Sequence, residues 1–186
     1  MRFYFGAMSP YSWFAAERID ALLPDAEWRP VFAGGLFKAA DRTSWGLTPD
    51  RERKLADCEE RARHHGLGEI VWPDPWPTVD ILAARAMVVA DRHGALKPFA
   101  LTLMRLAFKE GGELGDPDVI VAAAARTGLD PTSVLAAAQS SEIKDAVRAI
   151  TAEATALGVI GVPTVIVGDE LFWGDDRLED AAAALC

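Results

Sequence analysis

A serine, Ser9, lies where the sequence predicts that a strand ends and a helix begins. Residues 2–5 are typical of a strand, and residues 13–23 carry a rough helical stripe of apolar side chains. Serine is a favoured N-cap residue, and Pro10 suits the first helical position. The unpaired amides and the dipole of such a first turn stabilise an anion. The sequence therefore predicts either an anion site at Ser9 or, on this stretch alone, an ordinary helix cap.

Cysteine and histidine offer little further chemistry. Cys58 lies in a charged helical segment and Cys186 is the last residue, and there is no Cys-x-x-Cys pair. His64, His65 and His93 do not make a zinc spacing with either cysteine. We therefore expect neither a disulfide framework nor a metal site.

The composition limits the class of protein. The chain has 186 residues, 51% of them hydrophobic, which suits one domain with a real core, with room for an insertion. Its formal net charge of -9 argues against a nucleic-acid partner. No apolar run approaches the roughly 20 residues of a membrane span. The sequence enters its first strand without the sections of a signal peptide, so we expect a cytoplasmic protein with no membrane partner.

The first third of the chain predicts a β-α-β unit followed by helix. Residues 26–32 indicate a second strand, at an edge of the sheet because Pro30 cannot donate to a ladder. A strand, helix and strand in succession favour parallel pairing. Residues 33–48 are expected to be mostly loop, and residues 49–65 a charged helix.

The middle of the chain predicts only helices and loops. Residues 72–77 interleave three prolines with two tryptophans, which indicates a stiff, aromatic-lined loop. Thr78 is then expected to cap a largely buried helix that runs to Arg92. Further helices are predicted at 96–109, after Asp116, after Asp130, and at 142–157.

The pattern returns to strands near the end. Residues 162–167 are a β-branched run, residues 168–170 a turn, and residues 171–173 a short strand, which together indicate a hairpin. A last helix is expected to run to about Leu185. The predicted order is thus β-α-β, a helical block, then β-β-α, in an α/β chain.

This order resembles a thioredoxin-like fold with an inserted all-helical domain, the DsbA-like arrangement. Residues 9–13 stand where such proteins carry Cys-x-x-Cys, and residues 161–164 stand where they carry a cis-proline. With residues 172–178 after the hairpin, the chain resembles the 2-hydroxychromene-2-carboxylate isomerases, which are relatives of kappa-class glutathione transferases. The resemblance implies a discontinuous thioredoxin-like domain at 1–38 and 158–186, and a helical insertion at 39–157.

The resemblance also implies a glutathione site. In that family the serine aligned with Ser9 donates a hydrogen bond to the glutathione sulfur, and Val162 pairs with its peptide backbone beside a cis Val162–Pro163 bond. Asp176 would bind the γ-glutamyl ammonium and Asp175 would contact the same group, although one of them could instead cap the last helix. Without a cysteine at position 9 or 12, dithiol redox chemistry is excluded.

The expected substrate region departs from the family. Residues 37–46 lack the usual asparagine-containing loop, so its residues cannot be carried over by position. Lys38 and Arg42 are candidates for a substrate carboxylate by chemistry alone. Trp45 and Trp76 are candidates for an aromatic ring, or they only pack the loops.

The expected activity is a glutathione-dependent cis-trans isomerisation of an aromatic 2-oxo acid by transient thiolate addition, as in the breakdown of aromatic compounds. Three alternatives stay open: a kappa-like transferase acting on other electrophiles, a thiol-binding or scaffold protein without catalysis, and use of another low-molecular-weight thiol. The family implies a homodimer that acts on a small aromatic molecule.

Overall fold

The computed structural model describes residues 1–185. Cys186, which ends the predicted thioredoxin-like segment 158–186, lies outside the described residues. Four strands form one sheet in the order β2-β1-β3-β4. They are β1 (Arg2–Phe5), β2 (Glu27–Pro30), β3 (Thr164–Val167) and β4 (Glu170–Trp173). β1 runs parallel to β2, whereas β3 is antiparallel to β1 and to β4. The edge position of β2 agrees with the proline that ends it.

Ten α-helices surround this sheet in the described part of the chain. They are α1 (Pro10–Ala16), α2 (Ile19–Leu22), α3 (Ala33–Ala39), α4 (Arg51–His64), α5 (Ile81–Arg92), α6 (Leu96–Glu110), α7 (Pro117–Arg126), α8 (Pro131–Gln139), α9 (Ser141–Ala156) and α10 (Leu178–Ala183). Short 3₁₀ turns cover Trp45–Leu47 and Asp175–Arg177. The coarse order, β-α-β followed by a helical block and then β-β-α, is the one that the sequence predicts.

A hydrophobic core joins the sheet to the helices that lie, along the chain, between its first two and its last two strands. Trp13 on α1 is 1% exposed, and its ring stacks on Phe108 of α6 with centroids 5.6 Å apart. Phe3 and Phe5 on β1 pack edge-on against Trp28 of β2, with centroids 5.1 and 5.2 Å away. Burying aromatic rings of this size stabilises a core by several kcal/mol in all, of order 2 kcal/mol each. The helical segment therefore rests on the same core as the sheet.

The segment predicted as loop at 33–48 begins with a helix, α3. Two adjacent glycines, Gly34 and Gly35, disfavour a helix locally. Tertiary packing overrides that preference: a Cβ on Gly35 would stand 3.0 Å from the Thr151 methyl on α9. The Thr151 hydroxyl also accepts the Phe32 N–H at 3.2 Å, just before α3 starts. The close approach to α9 thus explains Gly35, whereas a Cβ on Gly34 would stand 2.7 Å from the Phe32 ring.

The helix predicted to start at Thr78 instead starts at Ile81. The Thr78 hydroxyl donates to Glu113 at 3.0 Å and caps nothing. The residue at the N-cap of α5 is Asp80, whose side chain makes no capping bond. The predicted helix at 13–23 is likewise divided into α1 and α2 around Arg18.

Within residues 1–185 no helix has both the length and the apolar character needed to cross a bilayer. No group of three or more potential ligands within that range is arranged to hold a metal ion.

Candidate active site

A cleft of 690 Å³ lies between the sheet and the helical segment. Its sheet wall consists of residues drawn from 8–11, 161–163 and 173–176. Its helical wall consists of residues drawn from 32–61 and 76–80. The volume is in the range that encloses a small organic molecule. The two ends of the chain and its middle therefore meet at one site.

Ser9 lies on the sheet wall at the N-cap of α1. Its oxygen accepts the Ser12 N–H at 3.2 Å, so Ser9 does cap the helix. Its hydroxyl donates to the Val162 carbonyl at 3.4 Å, which is long for a bond between two oxygens. The Ser9 proton is thus held only weakly and can turn to a stronger acceptor in the cleft. Ser12 is fully buried and accepts the Gly6 N–H, so it faces the interior.

The turn at 161–164 presents the Val162 backbone beside Ser9. The Val162–Pro163 bond is cis, as predicted. The buried Thr164 hydroxyl donates to the Gly161 carbonyl at 2.8 Å and closes the turn. Neither the N–H nor the carbonyl of Val162 makes a backbone hydrogen bond within residues 1–185. Backbone groups that make no backbone hydrogen bond can pair with a short extended peptide.

The two predicted aspartates play different parts. Asp175 is 1% exposed, and its Oδ1 accepts a 2.7 Å hydrogen bond from Arg61 on α4. Its Oδ2 has no hydrogen-bond partner among the described residues, and the nearest base is His65, with Nε2 3.6 Å away. Burial raises the pKa of Asp175, and the Arg61 guanidinium opposes that rise. The carboxylate of Asp175 is therefore committed to Arg61 rather than offered to a ligand.

Asp176 is exposed and turned to the cleft. Its Oδ2 lies 3.8 Å from Nη2 of Arg61, so one guanidinium faces both aspartates. Gly174 has φ of +121°, and a Cβ there would collide with the Asp176 carboxylate. Neither Asp175 nor Asp176 caps a helix with its side chain, which removes the capping alternative.

Tryptophans dominate the helical wall. The ring centroids of Trp45 and Trp76 lie 4.7 Å apart, and Trp72 lies 4.7 Å beyond Trp76. Trp45 is half-buried and lines the cleft, whereas Trp76 is 6% exposed. The Trp76 indole N–H donates to the Met8 carbonyl at 3.3 Å. The two tryptophans therefore both shape the cavity and anchor the chain just before Ser9.

Two cations of the cleft make no ion pair within the described range. The guanidinium carbon of Arg42 lies 4.5 Å from the ring centroid of Trp173. Nζ of Lys54, on α4, lies 5.9 Å from the ring centroid of Trp45. Cations held over aromatic faces keep their charge available for an anion.

A family model described as the DSBA-like thioredoxin domain matches residues 1–186. The chain belongs to the DSBA-like thioredoxin family. This confirms the thioredoxin-like fold that the sequence predicts, and with it the DsbA-like resemblance.

Individual relatives of this DSBA-like chain are enzymes. A 2-hydroxychromene-2-carboxylate isomerase from Sphingobium xenophagum is 24% identical over 95% of this chain and 93% of its own. A solved structure of 2-hydroxychromene-2-carboxylate isomerase has a TM-score of 0.85 at 20% identity, with 99% and 93% of the two chains covered. Cytosolic disulfide reductase DsbM from Pseudomonas aeruginosa, solved with GSH, has a TM-score of 0.61 at 15% identity, covering 99% and 96%.

The structure brings together most of the site residues that the sequence predicts, with one exclusion. Residues that line the cleft are Ser9, Arg42, Trp45, Trp76, Val162, Pro163, Asp175 and Asp176. Lys38 is exposed in the last turn of α3 and does not line the cleft, so the structure does not place it with the other candidates and its role as a substrate contact stays a prediction. The cause is α3 itself, because Phe37 faces the cleft and the next residue on a helix points elsewhere.

Four charged residues of the helical wall escaped sequence reasoning: Lys54, Asp57, Arg61 and Asp80. Lys54 and Arg61 stand among alternating charges on α4, a pattern typical of a solvated face. Their spacing of seven residues, two turns apart, is the signal that could have placed both on one face. Asp80 was hidden by the expectation that Thr78 starts the helix.

Proposed function

We propose that this chain is a glutathione-dependent isomerase that acts on an aromatic 2-oxo acid. The observation that carries the proposal is the position of Ser9 beside Val162: a weakly held hydroxyl stands next to peptide groups that make no backbone hydrogen bond, in one cleft. A thiol-containing tripeptide needs both features. Named relatives support the proposal, since two are isomerases of this kind and one was solved with GSH.

The residues of the cleft fit glutathione along its length. Ser9 would donate to the sulfur, because its own oxygen is already occupied by the Ser12 N–H and its proton is free to turn. The Val162 N–H and carbonyl would pair with the central peptide. Asp176, exposed beside Arg61, would receive the γ-glutamyl ammonium. Lys54 or Arg42 would attract a carboxylate.

Glutathione would supply a thiolate that adds reversibly to the conjugated system, so that a double bond becomes single and free to rotate. The work of the protein is to stabilise and orient. A hydroxyl donor and the positive end of α1 favour the charged form of sulfur at Ser9. The faces of Trp45 and Trp76 would hold an aromatic ring against it.

The direct test is the ultraviolet change of 2-hydroxychromene-2-carboxylate, followed with enzyme and with or without glutathione. We expect acceleration only when both are present, with glutathione unconsumed at the end. Binding of glutathione, measured by calorimetry, is the matched measurement on the protein itself. Absence of both acceleration and binding would overturn the proposal.

A kappa-like transferase is the second candidate. It is favoured by the cleft segment at 42–45, because the sequence there lacks the asparagine-containing loop that the family resemblance implies. Conjugation of a chlorodinitrobenzene-type substrate, with loss of free thiol and no isomerisation, would select it. Dithiol redox chemistry, as in disulfide reductases, is not proposed, because serines stand at positions 9 and 12.

A further inference from the structure

Asp80 differs from Asp116 and Asp130, two other aspartates that stand at helix N-caps. Asp116 and Asp130 are exposed, and each accepts a hydrogen bond of 2.9 Å from an N–H of its own helix. Asp80 occupies the same N-cap position on α5, yet it is 3% exposed and makes no capping bond. A carboxyl is rarely buried to this extent without a partner charge. Helix capping therefore does not explain Asp80.

The carboxyl of Asp80 instead reaches the chain just before Ser9. Its Oδ2 accepts the Met8 N–H at 3.4 Å, and Asp80 lines the cleft. The Met8 carbonyl is bonded to the Trp76 indole, so both sides of that residue are held by the helical wall. Because Oδ2 is taken by an N–H, Oδ1 is the oxygen that remains for a proton. Asp80 thus places an acid group one residue from the proposed thiol site.

The charged groups of the cleft leave Asp80 without a counter-ion. Arg61 bonds Asp175, while Arg42 and Lys54 lie over tryptophan rings. The remaining acids of the cleft are Asp57 and Asp176. Glu113 accepts a hydrogen bond from the Thr78 hydroxyl at the edge of the same region. Burial raises the pKa of Asp80 to about 6, opposed only by backbone N–H groups. A group that titrates near the working pH is suited to proton transfer.

We propose that Asp80 is a catalytic acid-base group, which takes the proton of a thiol bound at Ser9 and passes it to the substrate oxygen on which charge develops. This rests on the function proposed above. The electron pair of the S–H bond stays on sulfur while the proton moves to Asp80 Oδ1. As a sulfur lone pair forms the S–C bond, the C=C pair shifts through the conjugated system to the 2-oxo oxygen, which takes the proton as the Asp80 O–H bond breaks; the S–C bond breaks again in the reverse step. The reverse transfer restores the acid when the double bond re-forms, so no oxidant or reductant is needed.

The first test counts protons rather than turnover. Calorimetry of glutathione binding near pH 7, in two buffers of different ionisation enthalpy, gives the protons released, and ultraviolet absorbance gives the thiolate formed. In the wild type we expect fewer protons released than thiolates formed, because the thiolate charge raises the pKa of the neighbouring Asp80 and the carboxyl keeps part of the protons. In Asp80→Asn we expect either a proton released with each thiolate or a thiol that stays protonated. Equal release per thiolate in both proteins would overturn the proposal.

The second test is isomerase turnover against pH. Asp80→Asn should lower turnover by about 100-fold and remove the limb near pH 6. Asp130→Asn, which alters a helix cap outside the cleft, should leave turnover unchanged. Asp80→Ser, which keeps an N-cap oxygen, serves if the amide variant does not fold. Wild-type turnover in a folded Asp80 variant would eliminate the role.

These outcomes separate two failures. A wild type that neither binds glutathione nor isomerises the substrate overturns the proposed function and the role of Asp80 together. A wild type that does both, with an Asp80→Asn variant that matches it in protons and in turnover, overturns the role of Asp80 alone.

Discussion

On the sheet wall of the cleft, the candidate ligands are positioned by the backbone: a helix N-cap at Ser9, a cis turn at Val162 and a glycine before Asp175 and Asp176. On the helical wall, Lys54 and Asp80 are brought in by α4 and α5, which pack on the core that they share with the sheet. The first kind of position requires particular residue types, so it can be recognised in the sequence. The second kind accepts many residue types, and its chemistry emerges only when the helices meet.

Arg61 is where the two walls meet, and its removal should have the largest effect on stability. Arg61→Met leaves the carboxylate of Asp175, whose side chain is 2% exposed, without its counter-charge. Breaking a buried ion pair in this way costs about 3 kcal/mol. Urea unfolding would measure the loss.

Two companions make the Arg61 test specific. Adding Asp175→Asn to Arg61→Met should restore part of the stability, because no buried charge is then left alone. Arg126→Met breaks an exposed pair with Glu110 and should cost under about 1 kcal/mol. Equal losses for the exposed and buried pairs would show that Arg61 does not join the walls.

Asp80 predicts a pH dependence of stability with a definite sign. Its pKa in the folded protein is about 6, against an ordinary value of 3.8, so the folded state binds the proton more tightly. The stabilisation is present in full below about pH 4 and is lost as the pH rises through about 6. Relative to Asp80→Asn, the wild type should lose about 3 kcal/mol over that window, as denaturant unfolding at several pH values would show.

Parallel curves for the wild type and Asp80→Asn between pH 4 and 6 would contradict the buried, unpaired state of this acid. Such a result would not bear on the roles proposed for the residues of the sheet wall, because the measurement needs no glutathione.

Ser9 tests the sheet wall through activity. Ser9→Ala should lose about 1 kcal/mol of stability as a cap. It should also raise the pKa of bound thiol and lower turnover by about 100-fold, as the removal of a single donor to a developing anion does. Ser140→Ala is the matched control, because Ser140 caps α9 by the same kind of bond, at 3.2 Å, outside the cleft. Equal turnover in the two variants would reduce Ser9 to a cap.

The smallest predicted effect is a difference in glutathione affinity between variants of Lys54 and Lys38. Lys54→Met should weaken glutathione binding by about tenfold, or about 1.4 kcal/mol, because a cation of the cleft is lost. Lys38→Met should change nothing, since Lys38 is exposed outside the cleft. Calorimetry on both variants measures the difference, and a larger effect at Lys38 would reverse the assignment of the two lysines.

Much of the fold could be predicted because local signals agreed with one another. Proline after a capping aspartate starts α7 and α8, where Asp116 and Asp130 do cap. The β-branched run after Pro163 forms the strand that pairs with β1. Prediction failed at α3, where packing overrode the low helix preference of two glycines. It also failed at the start of α5, where the helix begins after Asp80 and not after Thr78.

The sequence by itself determined the order of elements, the cap at Ser9 and the turn at Val162, because each depends on backbone conformations that few residue types satisfy. It also determined that no dithiol chemistry occurs at positions 9 and 12. Only the tertiary structure decided that Arg61 neutralises Asp175, that Lys54 replaces Lys38 at the cleft, and that Asp80 is buried beside Met8. Burial and pairing of charge depend on which distant helices meet, and no local pattern records that meeting.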